Sequence, residues 1–447
     1  MKNSQTLTLL KKKSTFRILD AIEAEIEVLE NPYGLPMEEL FTMAARINKK
    51  RSFLFVSKVL GKHLPIHPNK GLLTAALLAA RYFESVKGGE VTERERLIRS
   101  FLQDEPDQVG PIIPGVINPV VIGFAETATA LGHAFFDCFH QADFFHTTRE
   151  EIHSHAPEVT FEEEHSHATS HRCYIPLEMI QNDREIILVD DEMTTGKTAL
   201  NIIQSIHASF PRTDYTVVSI LDWRSEANRQ EFSRLEEELG ITIHTVSLLA
   251  GNVHIKQLKE IKDHSETDDT NEQGELKLGA ISLSPLFHTT SFISENPLNQ
   301  VPFIKETGRF GLNSSENKML HQQVWEAANI LKSRRTGGRT LCLGTGEFMY
   351  LPMKIASAMG SGVFYQSTTR SPIYIENREG YGARYGISFP NPEDLQISHN
   401  VYNIPPGGYD EIFLFFEREP EAATLEPLLN ELKKLQFNSV KLVFFSN

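Results

Sequence analysis

Short runs of β-branched and aromatic residues alternate with longer amphipathic runs along the N-terminal part of this chain. "SFLFVSKVLG" (52–61), "PVVIGFA" (119–125), "REIILVDD" (184–191) and "YTVVSILDW" (215–223) read as strands. "KGLLTAALLAARYFESV" (70–86), "ATALGHAFFDCFHQ" (128–141) and "TALNIIQSIHASF" (198–210) read as helices. Strands with no polar alternation must be covered on both faces. The pattern therefore predicts an α/β fold, a parallel sheet between layers of helices. Ligands of such sheets sit beyond the carboxyl ends of the strands.

The length, 447 residues, suggests two or three domains. "KDHSETDDTNEQGELKLG" (262–279) is polar and acidic. It reads as a solvated linker between a larger part, 1–261, and a smaller one, 280–447. The formal net charge of −15 argues against a broad nucleic-acid surface. An anionic ligand must then be gathered by local cations or backbone N–H groups. Cys138, Cys173 and Cys342 are sparse and not in metal-like spacing, which fits a reducing compartment. No apolar run approaches the ~18 residues of a membrane span. These features give the expectation of a cytoplasmic protein with no nucleic-acid or membrane partner.

The second part repeats the first weakly. "LCLGTGEFMYLP" lines up with "VVIGFAETATAL", so that Gly344 matches Gly123 and Glu347 matches Glu126. Without a gap, Thr368-Thr369-Arg370 falls on Thr147-Thr148-Arg149. Further on, "YDEIFLFFEREPEAATLEPLL" lines up with "DREIILVDDEMTTGKTALNII". Asp190-Asp191 then become Phe416-Glu417, and TTGKT has no counterpart. The second part is expected to be a smaller α/β domain, a degenerate copy of the first.

"IILVDDEMTTGKTALNII" (186–203) carries the chemistry. Gly196-Lys197-Thr198 resembles the end of a P-loop, but the first glycine of that motif should stand at 191, where the chain has Asp191. A carboxylate there would repel phosphates. Thr194, Thr195, Gly196, Lys197 and Thr198 instead offer consecutive N–H groups and hydroxyls at a helix start, a seat for one phosphate monoester. Asp190 and Asp191 suit the two hydroxyls of a ribose or a bound Mg²⁺. Together they describe a ribose 5-phosphate site.

A hydrophobic strand, two acids, two further residues and T-G-x-T resemble the phosphoribosyl pyrophosphate (PRPP) signature of type I phosphoribosyltransferases. "VVIGFAETAT" resembles the loop that receives pyrophosphate, with Ala125, Glu126 and Thr127 at the turn. Residues 144–175 resemble the loop that closes over the site, and "ILDWRS" the element that frames the base. "TRSP" at 369–372 resembles the signature of the TRSP domain. That domain follows an orotate-phosphoribosyltransferase-like domain in proteins of bacterial tellurite-resistance and stress operons.

The resemblance implies a Rossmann-like fold. It implies transfer of the 5-phosphoribosyl group of PRPP to a base-like acceptor, with Mg²⁺ and release of pyrophosphate. It places Asp190 and Asp191 at the ribose and metal, and residues 194–198 at the 5-phosphate. Glu126, Thr127 and Arg149 fall near the pyrophosphate and Arg224 near the acceptor; Lys62 reads either as a surface cation or as a group that meets the pyrophosphate or the acceptor. It also implies a homodimer or operon-encoded partners. A PRPP-binding regulator without turnover is the alternative.

His153, His155, His165, His167 and His171 crowd one segment, with Glu162 to Glu164 among them. Three readings stay open: a solvated loop, an anion-binding loop using His165, His167, His171 or Arg172, and a zinc site. Lys58, Lys62 and His63 stand beside Gly61, and Gly308-Arg309 is the matching spot in the second part. "EREPE" (417–421) and "LEEEL" (235–239) read as solvated faces.

Overall fold

The computed structural model describes residues 13–47, 52–105, 109–162, 170–261 and 276–447. Residues 262–275 of the expected linker lie outside these. At its end Lys277–Ser282 is not linker but an edge strand.

The larger sheet runs Lys13–Ile18, Ile22–Glu30, Thr242–Gln257, Asp214–Asp222, Ile186–Met193, Val120–Gly123, Asp143–His146, Leu312–Asn313. The strands from Thr242–Gln257 to Asp143–His146 are parallel to their neighbours. The strands outside them are antiparallel. Ile186, Ile187, Leu188 and Val189 are all buried, as strands covered on both faces require. The expected parallel sheet is therefore present, extended by antiparallel edges. The 52–61 run is not part of it. Phe53–Ser57 pairs instead with Phe41–Ala45 in a separate hairpin whose Phe55 stacks on Trp223 at 4.9 Å.

The second sheet runs Lys277–Ser282, Ser439–Ser446, Glu411–Arg418, Thr340–Gly344, Val363–Ser367, all parallel. Val363–Ser367, Thr340–Gly344, Glu411–Arg418 and Ser439–Ser446 follow one another in space as Asp143–His146, Val120–Gly123, Ile186–Met193 and Asp214–Asp222 do in the first sheet. Even the register agrees: Gly123 lies opposite Val189, and Gly344 opposite Phe415. Hydrogen bonds repeat as well. The Thr147 N–H donates to Gly123 O at 2.9 Å, and the Thr368 N–H to Gly344 O at 3.0 Å. Thr147 Oγ1 meets His171 Nδ1 at 2.8 Å, and Thr368 Oγ1 meets His399 Nδ1 at 3.1 Å. The second half thus repeats the first in strand order, in register and in these hydrogen bonds.

The halves exchange edges. Gly61 O accepts from the Ser367 N–H at 2.7 Å, so the segment before helix Pro68–Ser85 lines the second sheet. Gly308 O accepts from the His146 N–H at 3.4 Å, and Leu312–Asn313 pairs with the first sheet. Gly61 and Gly308 both have positive φ, +70° and +85°, and a Cβ at either would meet an aromatic ring below 3 Å. One apolar cluster joins the halves, with Leu73 and Phe135 from the first and Met353 and Tyr365 from the second. Asp137 adds a buried polar knot across the same boundary. It accepts from Lys354 Nζ at 2.7 Å, Asn317 Nδ2 at 2.7 Å and Tyr350 Oη at 3.1 Å, and meets His321 Nε2 at 2.6 Å.

Two histidines are buried in this joint. Burial pushes His133 down to about 3 and His146 down to about 4, from an ordinary 6.5. Both stay neutral in the fold, while the unfolded chain takes up protons below 6.5. Stability is thus fully present above pH 6.5 and falls as the pH drops through the window toward 4, by roughly a few kcal/mol per histidine. Urea midpoints at pH 7.5 and 5.5 are expected to show most of the early loss. A flat profile over that interval would contradict it.

Candidate functional site

Strand Ile186–Met193 ends with Asp190 and Asp191 half-buried at the carboxyl edge of the first sheet. The Asp191 N–H donates to Asp190 Oδ1 at 2.8 Å. Residues 194–196 then turn the chain into helix Lys197–Ser209, with Gly196 as its N-cap in the left-handed region, φ +78°. No acidic residue occupies the first turn, so the positive end of the helix dipole stays open. The Lys197 N–H donates to Thr195 Oγ1 at 3.3 Å, and Thr194 to Thr198 are all half-buried.

Strand Val120–Gly123 ends beside this loop, and its register places Gly123 opposite Val189. The turn that follows holds Ala125, Glu126 and Thr127, with a cis peptide between Ala125 and Glu126. The Ala125 N–H donates to Thr147 Oγ1 at 2.9 Å. Lys62 arrives from the segment before helix Pro68–Ser85, its Nζ 3.6 Å from Asp191 Oδ2. The fold thus brings Asp190, Asp191, the 194–198 loop, the 125–127 turn and Lys62 to the edge where an α/β sheet holds ligands. Arg149 follows strand Asp143–His146 and turns toward the second half, its N–H donating to Glu347 Oε1 at 2.7 Å and its carbonyl accepting from Arg172 Nη1 at 3.1 Å.

Arg224 takes a different place from the one expected. It is buried, its Nη2 donates to Asp222 Oδ2 at 2.8 Å and its guanidinium lies 4.2 Å over the Phe232 ring. A Cβ on Gly196 would stand 2.6 Å from Phe232 and 3.1 Å from Arg224 Cδ. Arg224 is therefore the floor beneath the loop rather than a cation presented to an acceptor. The D-x-R spacing in "LDWRS" is the signal for this pair. Gly196→Val is expected to lower Tm and to weaken ribose 5-phosphate binding together, because both the positive φ and the ring oppose a side chain. Unchanged melting and titration curves would refute that packing.

The histidine-rich segment also departs from expectation. His165 and His167 lie outside the described residues. His171 is buried, stacked on Phe161 at 4.9 Å, so it anchors the loop rather than meeting solvent anions. Arg172 is ion-paired with Glu151. Among the described residues no three His, Cys, Asp or Glu side chains gather to hold a metal. Mg²⁺, however, is usually held by one or two carboxylates together with substrate phosphates, and the neighbouring Asp190 and Asp191 fit that role.

The corresponding edge of the second sheet is a small cavity walled by buried ion pairs. Arg309, matching Lys62, is buried and donates to Glu417 Oε2 at 2.7 Å and to Glu347 Oε2 at 3.3 Å. Glu347 also accepts from Thr148 Oγ1 at 2.6 Å. Arg418 is buried too, 2.8 Å from Glu393 Oε1 and 3.9 Å over Phe303. "EREPE" is thus not a solvated face at its start, because Glu417 and Arg418 end a central strand. Glu237 and Glu238 of "LEEEL" are exposed as read.

Residues 40–252 match the family model described as phosphoribosyl transferase, and residues 306–432 the one described as the TRSP domain C-terminal to it. The first half of the chain thus matches the phosphoribosyltransferase family, and the second half the TRSP domain that follows it. Similar solved structures include adenine phosphoribosyltransferase from Trypanosoma brucei, 11% identical with a TM-score of 0.28, over 53% of this chain and 86% of that one. Another is orotate phosphoribosyltransferase from Mycobacterium tuberculosis in complex with PRPP, 14% identical with a TM-score of 0.17, over 40% and 87%. No curated protein matches the chain. Among the described residues no helix is long and apolar enough to cross a membrane.

Proposed function

We propose that the chain transfers the 5-phosphoribosyl group of PRPP to a base-like acceptor and releases pyrophosphate, with Mg²⁺ carried on the substrate. The observation that carries this reading is the continuous run from Asp190-Asp191 into a helix opened by Gly196, beside the 125–127 turn. Residues 194–198 take the 5-phosphate through backbone N–H groups and hydroxyls. Asp190 and Asp191 take the ribose hydroxyls and the metal. Ala125, Glu126, Thr127, Lys62 and Arg149 face the pyrophosphate.

A reaction through an oxocarbenium-like ribose asks for no protein nucleophile. It asks that phosphate, diol and leaving group be held in line and that developing charge be met by fixed dipoles and cations. The second half contributes no such site of its own in this reading, since Phe416 stands for Asp190 and Arg309 already occupies Glu417.

Pyrophosphate release, measured with PRPP, Mg²⁺ and a panel including orotate and purine bases, tests the reading. Release with at least one base is expected. No release from any of them, with PRPP bound, would contradict turnover.

A further inference from the structure

The two halves treat their matching glutamates differently. Glu347 is satisfied by the Thr148 hydroxyl, the Arg149 N–H and Arg309. Glu126, only 8% exposed, faces Arg370 of the second half. Glu126 Oε1 and Arg370 Nε lie 3.0 Å apart, yet neither atom makes a hydrogen bond of proper angle. A buried carboxylate and a guanidinium so placed are matched in charge and short of directed partners.

Arg370 itself is held from both sides. The Thr369 N–H donates to Asn400 O at 3.0 Å, in its own half. The segment just beyond crosses to the first half, where the Tyr374 N–H donates to Ala45 O at 2.9 Å and the Gly382 N–H to Met43 O at 3.1 Å. The Ala45 N–H in turn donates to Tyr381 Oη at 3.0 Å. The stretch containing Thr369-Arg370-Ser371-Pro372 is therefore a strap across the two halves, and it delivers one cation to the 125–127 turn. The turn's partner is thus a residue from the far end of the chain.

We propose that Arg370 binds the diphosphate end of the ligand in the N-terminal site, with Glu126 as its internal counter-charge when no ligand is present. This rests on the reading of residues 190–198 as a phosphoribosyl site. The planar fork of arginine suits two phosphate oxygens at once. With its side chain 26% exposed, Arg370 is open enough to meet a ligand and buried enough to be fixed in place. The strap thereby makes the second half, which has lost its own seat, part of the first half's site.

The test is calorimetric titration of the full chain and of Arg370→Gln with PRPP, inorganic pyrophosphate and ribose 5-phosphate, each with Mg²⁺, with Tm measured alongside. Arg370→Gln is expected to lose at least tenfold in affinity for PRPP and pyrophosphate while ribose 5-phosphate stays within about twofold. Arg370→Lys, which keeps the charge and the contact to Glu126, is the milder variant. It should shift in the same direction by a few-fold with Tm unchanged. PRPP affinity equal to wild type in both variants would overturn the proposal. So would an equal loss for ribose 5-phosphate, which would mark Arg370 as a structural link only. A wild-type chain that binds none of the three ligands would overturn the reading of the 190–198 site, and this proposal with it.

Discussion

Arg309→Met is expected to cost about 3–5 kcal/mol of stability, the usual range for leaving buried charge without its partner. Arg309 is 3% exposed and is shared by two carboxylates from different strand ends. Burial alone would raise both carboxyls. At Glu347, Arg309, the Thr148 hydroxyl and the Arg149 N–H more than offset burial and hold it down to about 2. At Glu417 burial outweighs Arg309, and the carboxyl is raised.

Removing Arg309 lets both carboxyls rise in the fold. The deficit is then largest above those raised values and shrinks as the pH falls through them toward the wild-type ones. Urea unfolding at pH 7.5 and 4.5 checks both the size and the sign. A variant as stable as wild type at pH 7.5 would show that the buried network does not hold the second half together.

Asp190→Asn together with Asp191→Asn is the larger effect on function. Each carboxylate that accepts from a ribose hydroxyl or ligates Mg²⁺ is worth about 1.5–3 kcal/mol as a charged hydrogen-bond acceptor. The pair should weaken PRPP binding by at least ~100-fold. Fold stability should hold or improve slightly, because two adjacent like charges are removed and the Lys62–Asp191 pair is a weak one, 3.6 Å between partly exposed groups. Loss of PRPP affinity with an unchanged Tm is therefore the expected signature. A parallel loss of both would mean that the acids serve the fold rather than the ligand.

The parts of this molecule that follow a local rule were legible in the sequence. Strand Ile186–Met193 and helix Lys197–Ser209 announce themselves by apolar content and by a glycine at the turn. The repeat was legible from Gly344, Glu347 and the two Thr-Thr-Arg elements, and the strand orders agree with it. Long-range pairing was not legible. Nothing local in "SFLFVSKVLG" distinguishes a sheet strand from a hairpin strand. The antiparallel strands Lys13–Ile18 and Ile22–Glu30 carry alternating charge that reads equally as surface.

Charges were misread for the same reason. Glu417 and Arg418 look solvated in "EREPE", yet each is buried because its partner, Arg309 or Glu393, stands far away in sequence. Arg224 looked available although Asp222 stands two residues before it; Phe232, which it covers, becomes a neighbour only once the helix folds back. The polar break at 262–279 marks a larger and a smaller part of the chain, but it says nothing of how they pack. The edge exchange at Gly61 and Gly308 and the shared core tie the halves together.

The most direct measurement is the stoichiometry of PRPP binding to the full-length chain in the presence of Mg²⁺, by calorimetric titration. One PRPP per chain is expected, and none detectable in the Asp190→Asn/Asp191→Asn variant. Two per chain, or one per chain that survives in that variant, would contradict a single phosphoribosyl site at residues 190–198.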